Sequence, residues 1–390
     1  MDIHEYQAKE LLSEFGVSVP KGGIAYSPAQ AVFRANKIGA SRYLVKAQIH
    51  SGARSSVGGI IHCEGDEEIR AATDELMGKR LITKQTGPEG QVVHRVYVEE
   101  NVETVSMYYV GFVLDRQKER VVVVASSDGG MNIEDIYNER PDSLISVVIE
   151  PAVGMQAFQA RWIAIKLGLG KTLLTQTVTT ILGCYRAFRD LDATLVEINP
   201  LVVTDEGKLV ALDAKMSFDD NALFRRIRIE NLRDKTQEDP LSRKAIERGL
   251  NYVRLDGNIG CIINGAGLAM ATLDMIHALG GKPANFLDIG LSPQSDKLSK
   301  AVNIILSDTN VKVILVNIFA GISRCDWIAE GLIKAVQKYN LEIPVIVRLA
   351  GTNAKTGRQI IKDCGLPIIL AESLHDVAEL AVASANKIPD

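Results

Sequence analysis

The chain has 390 residues, of which 46 % are hydrophobic and 24 % charged, with a formal net charge of −4. Those values fit a globular protein long enough for two or three domains with full cores, and the slightly acidic balance excludes a basic nucleic-acid footprint. Five scattered cysteines with no C-x-x-C pair argue for a reducing compartment and against a disulfide framework or a zinc site. Asp2, Glu5, Lys9, Glu10 and Glu14 break any apolar leader pattern near the start. The longest uncharged stretch, residues 257–273, is interrupted by glycines and asparagines and makes a poor membrane helix. A cytoplasmic protein is expected.

Helical patterns cover residues 4–15 and 28–38, the second preceded by Ser27 as an N-cap. Strand patterns follow at 43–49, 93–99, 108–114 and 121–125, and the last two are spaced as a hairpin. A helical region over 157–189 leads into two strongly apolar runs, 195–203 and 208–215, joined by Asp205-Glu206-Gly207. A three-residue loop ending in Gly is a hairpin signal, because Gly tolerates the left-handed conformation its last position needs. Pairing Thr204 with Lys208 sets Asn199 opposite Asp213 and Glu197 opposite Lys215. Side chains alternate across strands, so these four share one face, with directly opposed Cβ atoms roughly 5 Å apart. An amide oxygen and a carboxylate so placed suit Mg2+; a hairpin whose polar face meets water is the alternative.

This first part reads as α+β with antiparallel connections. Near Glu238-Asp239-Pro240 the rhythm changes. Apolar strands at 259–264, 286–289, 311–319, 345–349 and 368–370 then alternate with amphipathic helices at 268–279, 298–306, 327–338, 355–364 and 375–385. Such alternation predicts a parallel, doubly wound sheet buried on both faces. The domains are therefore expected at 1–238 and 239–390.

In such sheets ligands bind beyond the carboxyl ends of the strands. The Gly-rich turns Asn264-Gly265-Ala266-Gly267 and Ala320-Gly321-Ile322-Ser323-Arg324 suit a small anion, or simply allow tight connections. The first lacks the third glycine and the downstream acid of a dinucleotide fingerprint. In the first part, Lys46 lies on a strand that runs into His50-Ser51-Gly52-Ala53-Arg54-Ser55-Ser56-Val57-Gly58-Gly59, a loop of a kind that closes over phosphates. Glu99 ends another strand. A strand lysine, a loop, a strand-end acid and a Mg2+ hairpin together suggest nucleotide held between two β layers. No nucleophile constellation is visible, and of the six histidines only His50 borders the loop.

Over essentially its whole length the chain resembles the β subunit of the succinate/malate–CoA ligases. The matching runs are His4-Glu5-Tyr6-Gln7-Ala8-Lys9-Glu10, Gly78-Lys79-Arg80-Leu81, Glu197-Ile198-Asn199-Pro200-Leu201, Asp219-Asp220-Asn221-Ala222-Leu223-Phe224-Arg225, Asn264-Gly265-Ala266-Gly267-Leu268-Ala269-Met270 and Asn317-Ile318-Phe319. The runs 214–220 and 320–322 with Asp326-Trp327 look most like the malate-using branch. The resemblance implies an ATP-grasp domain followed by a flavodoxin-like CoA-ligase domain. It implies a reaction in which ATP, CoA and a dicarboxylate give the CoA thioester, ADP and phosphate, through an acyl phosphate and a phosphohistidine. That histidine and most of the CoA site would belong to a partner α subunit. By position, Lys46, Ala53, Arg54, Ser55, Glu99 and the backbone at Val102 look like nucleotide contacts. Asn199 and Asp213 look like the Mg2+ ligands, Glu197 like the acid that faces the phosphohistidine, and Asn264, Gly321, Ile322 and Ser323 like the dicarboxylate contacts.

Several positions depart from the family's pattern. Ala53-Arg54-Ser55-Ser56-Val57 stands where the family usually has Gly/Ala-Arg-Gly-Lys-Ala, which adds a Cβ where positive φ or close approach of phosphate is expected and removes a cation. Met107 replaces a glutamate near the nucleotide, and Gly290-Leu291-Ser292 replaces a triple glycine. These changes imply weaker nucleotide binding or slower turnover. A weakened, partner-binding β-like subunit is therefore a second expectation beside the enzyme.

Overall fold

The computed structural model describes residues 1–87, 89–290 and 295–388 and divides into two compact units, Met1–Gln237 and Glu238–Asp390. Leu291, Ser292 and Pro293 lie outside the described residues. No described helix is long and apolar enough to cross a membrane.

The first unit holds two larger antiparallel sheets. One runs Gly22–Ala25, Val96–Glu100, Tyr43–Ala47, Ile60–Cys63, and its core is capped by the helices Pro28–Ile38 and Asp66–Leu76. Ser27 caps the former, its hydroxyl accepting the Gln30 N–H at 3.3 Å. The second sheet runs Leu209–Ala211, Ala193–Thr204, Thr104–Asp115, Arg120–Ser126, Leu144–Ile149, with Ala214–Phe218 also paired to Ala193–Thr204. Its inner face meets the helices Glu5–Glu14, Ala157–Lys166 and Leu174–Asp190 across a core containing Phe112, Ile163, Ile181, Val196, Ile198 and Met216.

The single helical region expected over 157–189 is two helices. Gly168 at φ +78° ends the first, a conformation helices do not continue through. The strands Gly22–Ala25, Ile60–Cys63 and Leu144–Ile149 escaped the pattern reading. Two are only four residues long, too short to show alternation, and the third has a mixed burial pattern.

In the second unit the sheet order is Asn251–Arg254, Asn285–Asp288, Ile259–Ile263, Val313–Ala320, Val345–Gly351, Ile368–Ala371. All pairs are parallel except the edge pair of Asn251–Arg254 with Asn285–Asp288. Cores on both faces bury these strands, as a doubly wound sheet requires. The N-terminal ends of the helices Ala266–Ala278 and Cys325–Lys338 follow directly on the strand ends at Ile263 and Ala320.

Candidate functional site

The hairpin at Asp205-Glu206-Gly207 closes as its loop length dictates. Thr204 N–H donates to Lys208 O at 2.9 Å, and Gly207 takes φ +72°. Val203 pairs with Leu209 and Leu201 with Ala211; beyond them Asn199 N–H donates to Asp213 O at 3.1 Å and Glu197 pairs with Lys215. Val196, Ile198, Ala214 and Met216 point into the core, so Glu197, Asn199, Asp213 and Lys215 lie on the opposite face.

Each of these polar groups already has partners. Asn199 Oδ1 accepts the Gly130 N–H at 2.7 Å and its Nδ2 donates to Met131 O at 2.8 Å. Met107, exposed, lies beside this turn: its carbonyl accepts the Gly129 N–H at 3.3 Å. Burial pushes the Glu197 carboxyl above its ordinary range; Lys215 opposes the shift and Asp213 adds to it. Both Asp213 oxygens accept from Arg54 Nη2 at 3.0 Å.

That last contact opens onto a buried ionic cluster. Arg54 Nη2 also pairs with Glu5 Oε2 at 2.5 Å, and Nη1 donates to Ala47 O at 2.8 Å. Lys46 Nζ donates to Glu5 Oε1 at 3.0 Å and Leu212 O at 2.8 Å, and lies 2.6 Å from Glu99 Oε2. Lys9 Nζ bonds Glu5 at 2.9 Å and Glu99 still more closely. All but Asp213 are buried; the Asp213 side chain keeps 31 % of its surface. Burial would raise the Glu5 carboxyl, but Arg54, Lys46 and Lys9 together hold it well below the ordinary range. Three cations meet three carboxylates, and that mutual neutralisation is what makes the burial tolerable.

The loop above is folded rather than open. Arg54–Val57 forms one 3-10 turn, and Ser56 Oγ donates to Ala53 O at 2.8 Å. The positive φ expected at the Gly-to-Ser change falls instead on Ala53, at +54°, and Ser55 lies within the turn. A Cβ on Gly59 would stand 2.9 Å from the Arg54 carbonyl, which keeps the loop's exit glycine-only. Gln85 Oε1 joins loop to hairpin by accepting from Gly52 N at 2.9 Å and from Lys215 Nζ at 3.4 Å. Val102 sits in the link between the two sheets, where its carbonyl accepts the Thr104 hydroxyl at 3.4 Å. His50 packs on His4 with ring centroids 4.6 Å apart, and His4 Nε2 lies 2.7 Å from Asp234 Oδ2.

Sequence reasoning brought Lys46, Arg54, Glu99 and Asp213 into one neighbourhood but missed Glu5 and Lys9. Their signal was an acid and a lysine four apart on a helix, which ordinarily marks a solvated face. Here that face is the base of the cluster.

The donor set fits a hard divalent cation. Asp213 retains exposed surface, and a carboxylate or amide oxygen has lone pairs beyond those its present partners use. Among the described residues no three His, Cys, Asp or Glu side chains gather as a ready cage.

In the second unit Asn264 and Phe319 exchange two hydrogen bonds, Nδ2 to Phe319 O at 2.9 Å and Phe319 N to Oδ1 at 2.7 Å. Asp288 Oδ1 accepts the N–H groups of Gly265 at 2.7 Å and Gly290 at 2.8 Å. The turn Gly321-Ile322-Ser323 leads into the helix Cys325–Lys338; Ile322 is exposed, while Ser323 Oγ is buried without a hydrogen-bond partner. Arg324 does not face that turn's ligand side as a free cation. Its guanidinium pairs with Asp326 at 2.5 Å and stacks 4.7 Å from the Trp327 ring centroid.

The ATP-grasp domain profile matches residues 2–203 and the CoA-ligase profile residues 262–382. A probable malate–CoA ligase β subunit of Mesorhizobium japonicum is 57 % identical over 98 % of both chains. The β subunit of an ADP-forming succinate–CoA ligase of Bacillus licheniformis is 49 % identical over 98 % of this chain and 99 % of its own. In fold, the chain superposes on ATP citrate lyase of Methanothrix soehngenii with a TM-score of 0.72, covering 98 % of this chain and 99 % of that one at 20 % identity. Family models over most of the chain and these relatives together show that the chain belongs to the β subunits of the succinate/malate–CoA ligases, ADP-forming acid–thiol ligases built from an ATP-grasp domain and a CoA-ligase domain.

Proposed function

We propose that this chain is the β subunit of an ATP-dependent malate–CoA ligase that forms malyl-CoA, ADP and phosphate together with an α subunit. The phosphoryl group of ATP would pass to a histidine carried by that α subunit, releasing ADP, and from the phosphohistidine to the dicarboxylate, whose acyl phosphate the CoA thiol attacks to release phosphate. The malate assignment rests on the higher identity to the malate-named relative, 57 % against 49 %. Succinate differs by one hydroxyl, and the frequency of succinate-named relatives makes it the second reading.

The observation that carries the proposal is the hairpin register, which sets Asn199 and Asp213 side by side on the face that meets the loop 50–59. In this reading Asn199 and Asp213 hold Mg2+, which when bound screens phosphate charge and orients the nucleotide. Lys46, Ala53, Arg54, Ser55, Glu99 and Val102 contact ATP. Lys46 and Arg54 reach phosphate by giving up a present partner, which couples nucleotide binding to rearrangement of the ionic cluster. Glu197, its carboxyl raised by burial, faces the incoming phosphohistidine. Gly321, Ile322 and Ser323 receive the dicarboxylate; the unpartnered Ser323 hydroxyl before a helix N-terminus is what a carboxylate would satisfy. Asn264 shapes that site through its two bonds to Phe319. The departures at Ser55, Ser56 and Met107 favour slow turnover rather than loss of the site.

Titration calorimetry with MgATP tests the hairpin assignment. Asp213→Ala should weaken binding by about tenfold or more, the cost of losing one charged ligand. Equal affinity of the variant and the natural chain would refute the assigned metal site.

A further inference from the structure

The nucleotide reading leaves a charge problem that the geometry answers, and the inference that follows rests on that reading. Lys9, Lys46 and Arg54 are each within 3.0 Å of a carboxylate of Glu5, Glu99 or Asp213, and the cluster is neutral as it stands. A nucleoside triphosphate carries more negative charge than one divalent cation cancels, so its terminal phosphate calls for a further cation. Apart from Arg54, the loop 50–59 holds no lysine or arginine.

Lys215 differs from all three. It stands directly opposite Glu197 and two residues from Asp213, on the hairpin face that carries Asn199. Its ammonium has no carboxylate within ion-pair distance among the described residues, and its hydrogen bond is a long one, 3.4 Å to Gln85 Oε1. Gln85 in turn holds Gly52 of the loop, so Lys215 sits where loop and hairpin meet. A lysine is a compact charge on a flexible stem with three donors, able to leave a weak neutral acceptor for a phosphate at little cost. We propose that Lys215 is the phosphoryl-contacting cation of this site: it exchanges Gln85 for the terminal phosphate of the bound nucleotide, opposite Glu197 and beside Asn199 and Asp213.

Calorimetric binding of MgATP and MgADP to the full chain, compared for Lys215→Met and Lys215→Arg, tests this. Because the contact is to the terminal phosphate, Lys215→Met should weaken MgATP by about tenfold and MgADP by less than about threefold, and Lys215→Arg should recover most of the ATP affinity. Lys215→Arg, which keeps a cation opposite Glu197, should keep the natural chain's thermal midpoint without nucleotide, which separates a folding defect from a loss of binding. Equal losses for ATP and ADP, or no loss for either, would overturn the proposal. Absence of any nucleotide binding to the natural chain would instead overturn the parent reading, and this inference with it.

Discussion

At the scale of the residue, Lys9 shows how far context changes the value of one charge pair. A helix pair such as Glu5 and Lys9, four residues apart, contributes about 0.3–0.5 kcal/mol when exposed. Here Lys9 is buried against Glu5 and Glu99, and its removal strands negative charge in a poorly solvated site. Lys9→Met should therefore destabilise the first unit by about 3 kcal/mol, measured by urea unfolding, whereas a loss of a few tenths would mean the cluster is solvated. His50 gives a pH signature. Burial pushes its imidazole down to about 4; His4 and Arg95 press the same way, while Asp2 and Asp234 oppose them. The unfolded chain takes up this proton near pH 6.5 and the folded chain does not until about 4, so stability falls as the pH drops through that window. The loss from this group between about pH 7 and pH 5 is roughly 2 kcal/mol. His50→Gln should shrink the measured pH dependence by about that amount, and an unchanged dependence would refute the assignment.

At the scale of the element, the hairpin was legible because its loop is short and its ends are pinned. A three-residue loop ending in Gly207 pointed to Thr204 pairing with Lys208, a one-residue slip being the alternative, and in the structure that pairing forms and sets Asn199 by Asp213 and Glu197 by Lys215. Gly207→Ala should cost about 1 kcal/mol in thermal or urea unfolding, because φ +72° strains a residue with a Cβ, and Gly207→Asn should cost less. Equal stability of Gly207→Ala and the natural chain would contradict the left-handed turn. What spacing could not supply was the partner of Asp213. Arg54 lies 159 residues away in sequence, and nothing local marks its side chain as turned inward. The loop around it read as an open phosphate lid for the same reason. Its glycines and hydroxyls signal freedom in the chain, while the carboxylates that anchor it come from the first helix and the hairpin.

At the scale of the molecule, the change near residue 238 separates two ways of bringing polar groups together. The first unit uses antiparallel sheets and a long-range ionic cluster, whose assembly depends on contacts between distant segments and is poorly visible in sequence. The second uses strand ends and helix starts, and periodicity alone locates those turns at Asn264–Gly267 and Gly321–Arg324. Pattern reading therefore located the strand-to-helix turns of the second unit well and the ionic cluster incompletely. His4 and His50 are packed against each other, and His4 is held by Asp234. The β-subunit naming of its relatives implies an α partner. The direct measurement is ADP release by the chain co-purified with its α partner, supplied with MgATP, CoA and either malate or succinate. Release that requires CoA and a dicarboxylate, is faster with malate, and is abolished by Asp213→Ala is the predicted result. An intact complex that releases no ADP with either acid would contradict it.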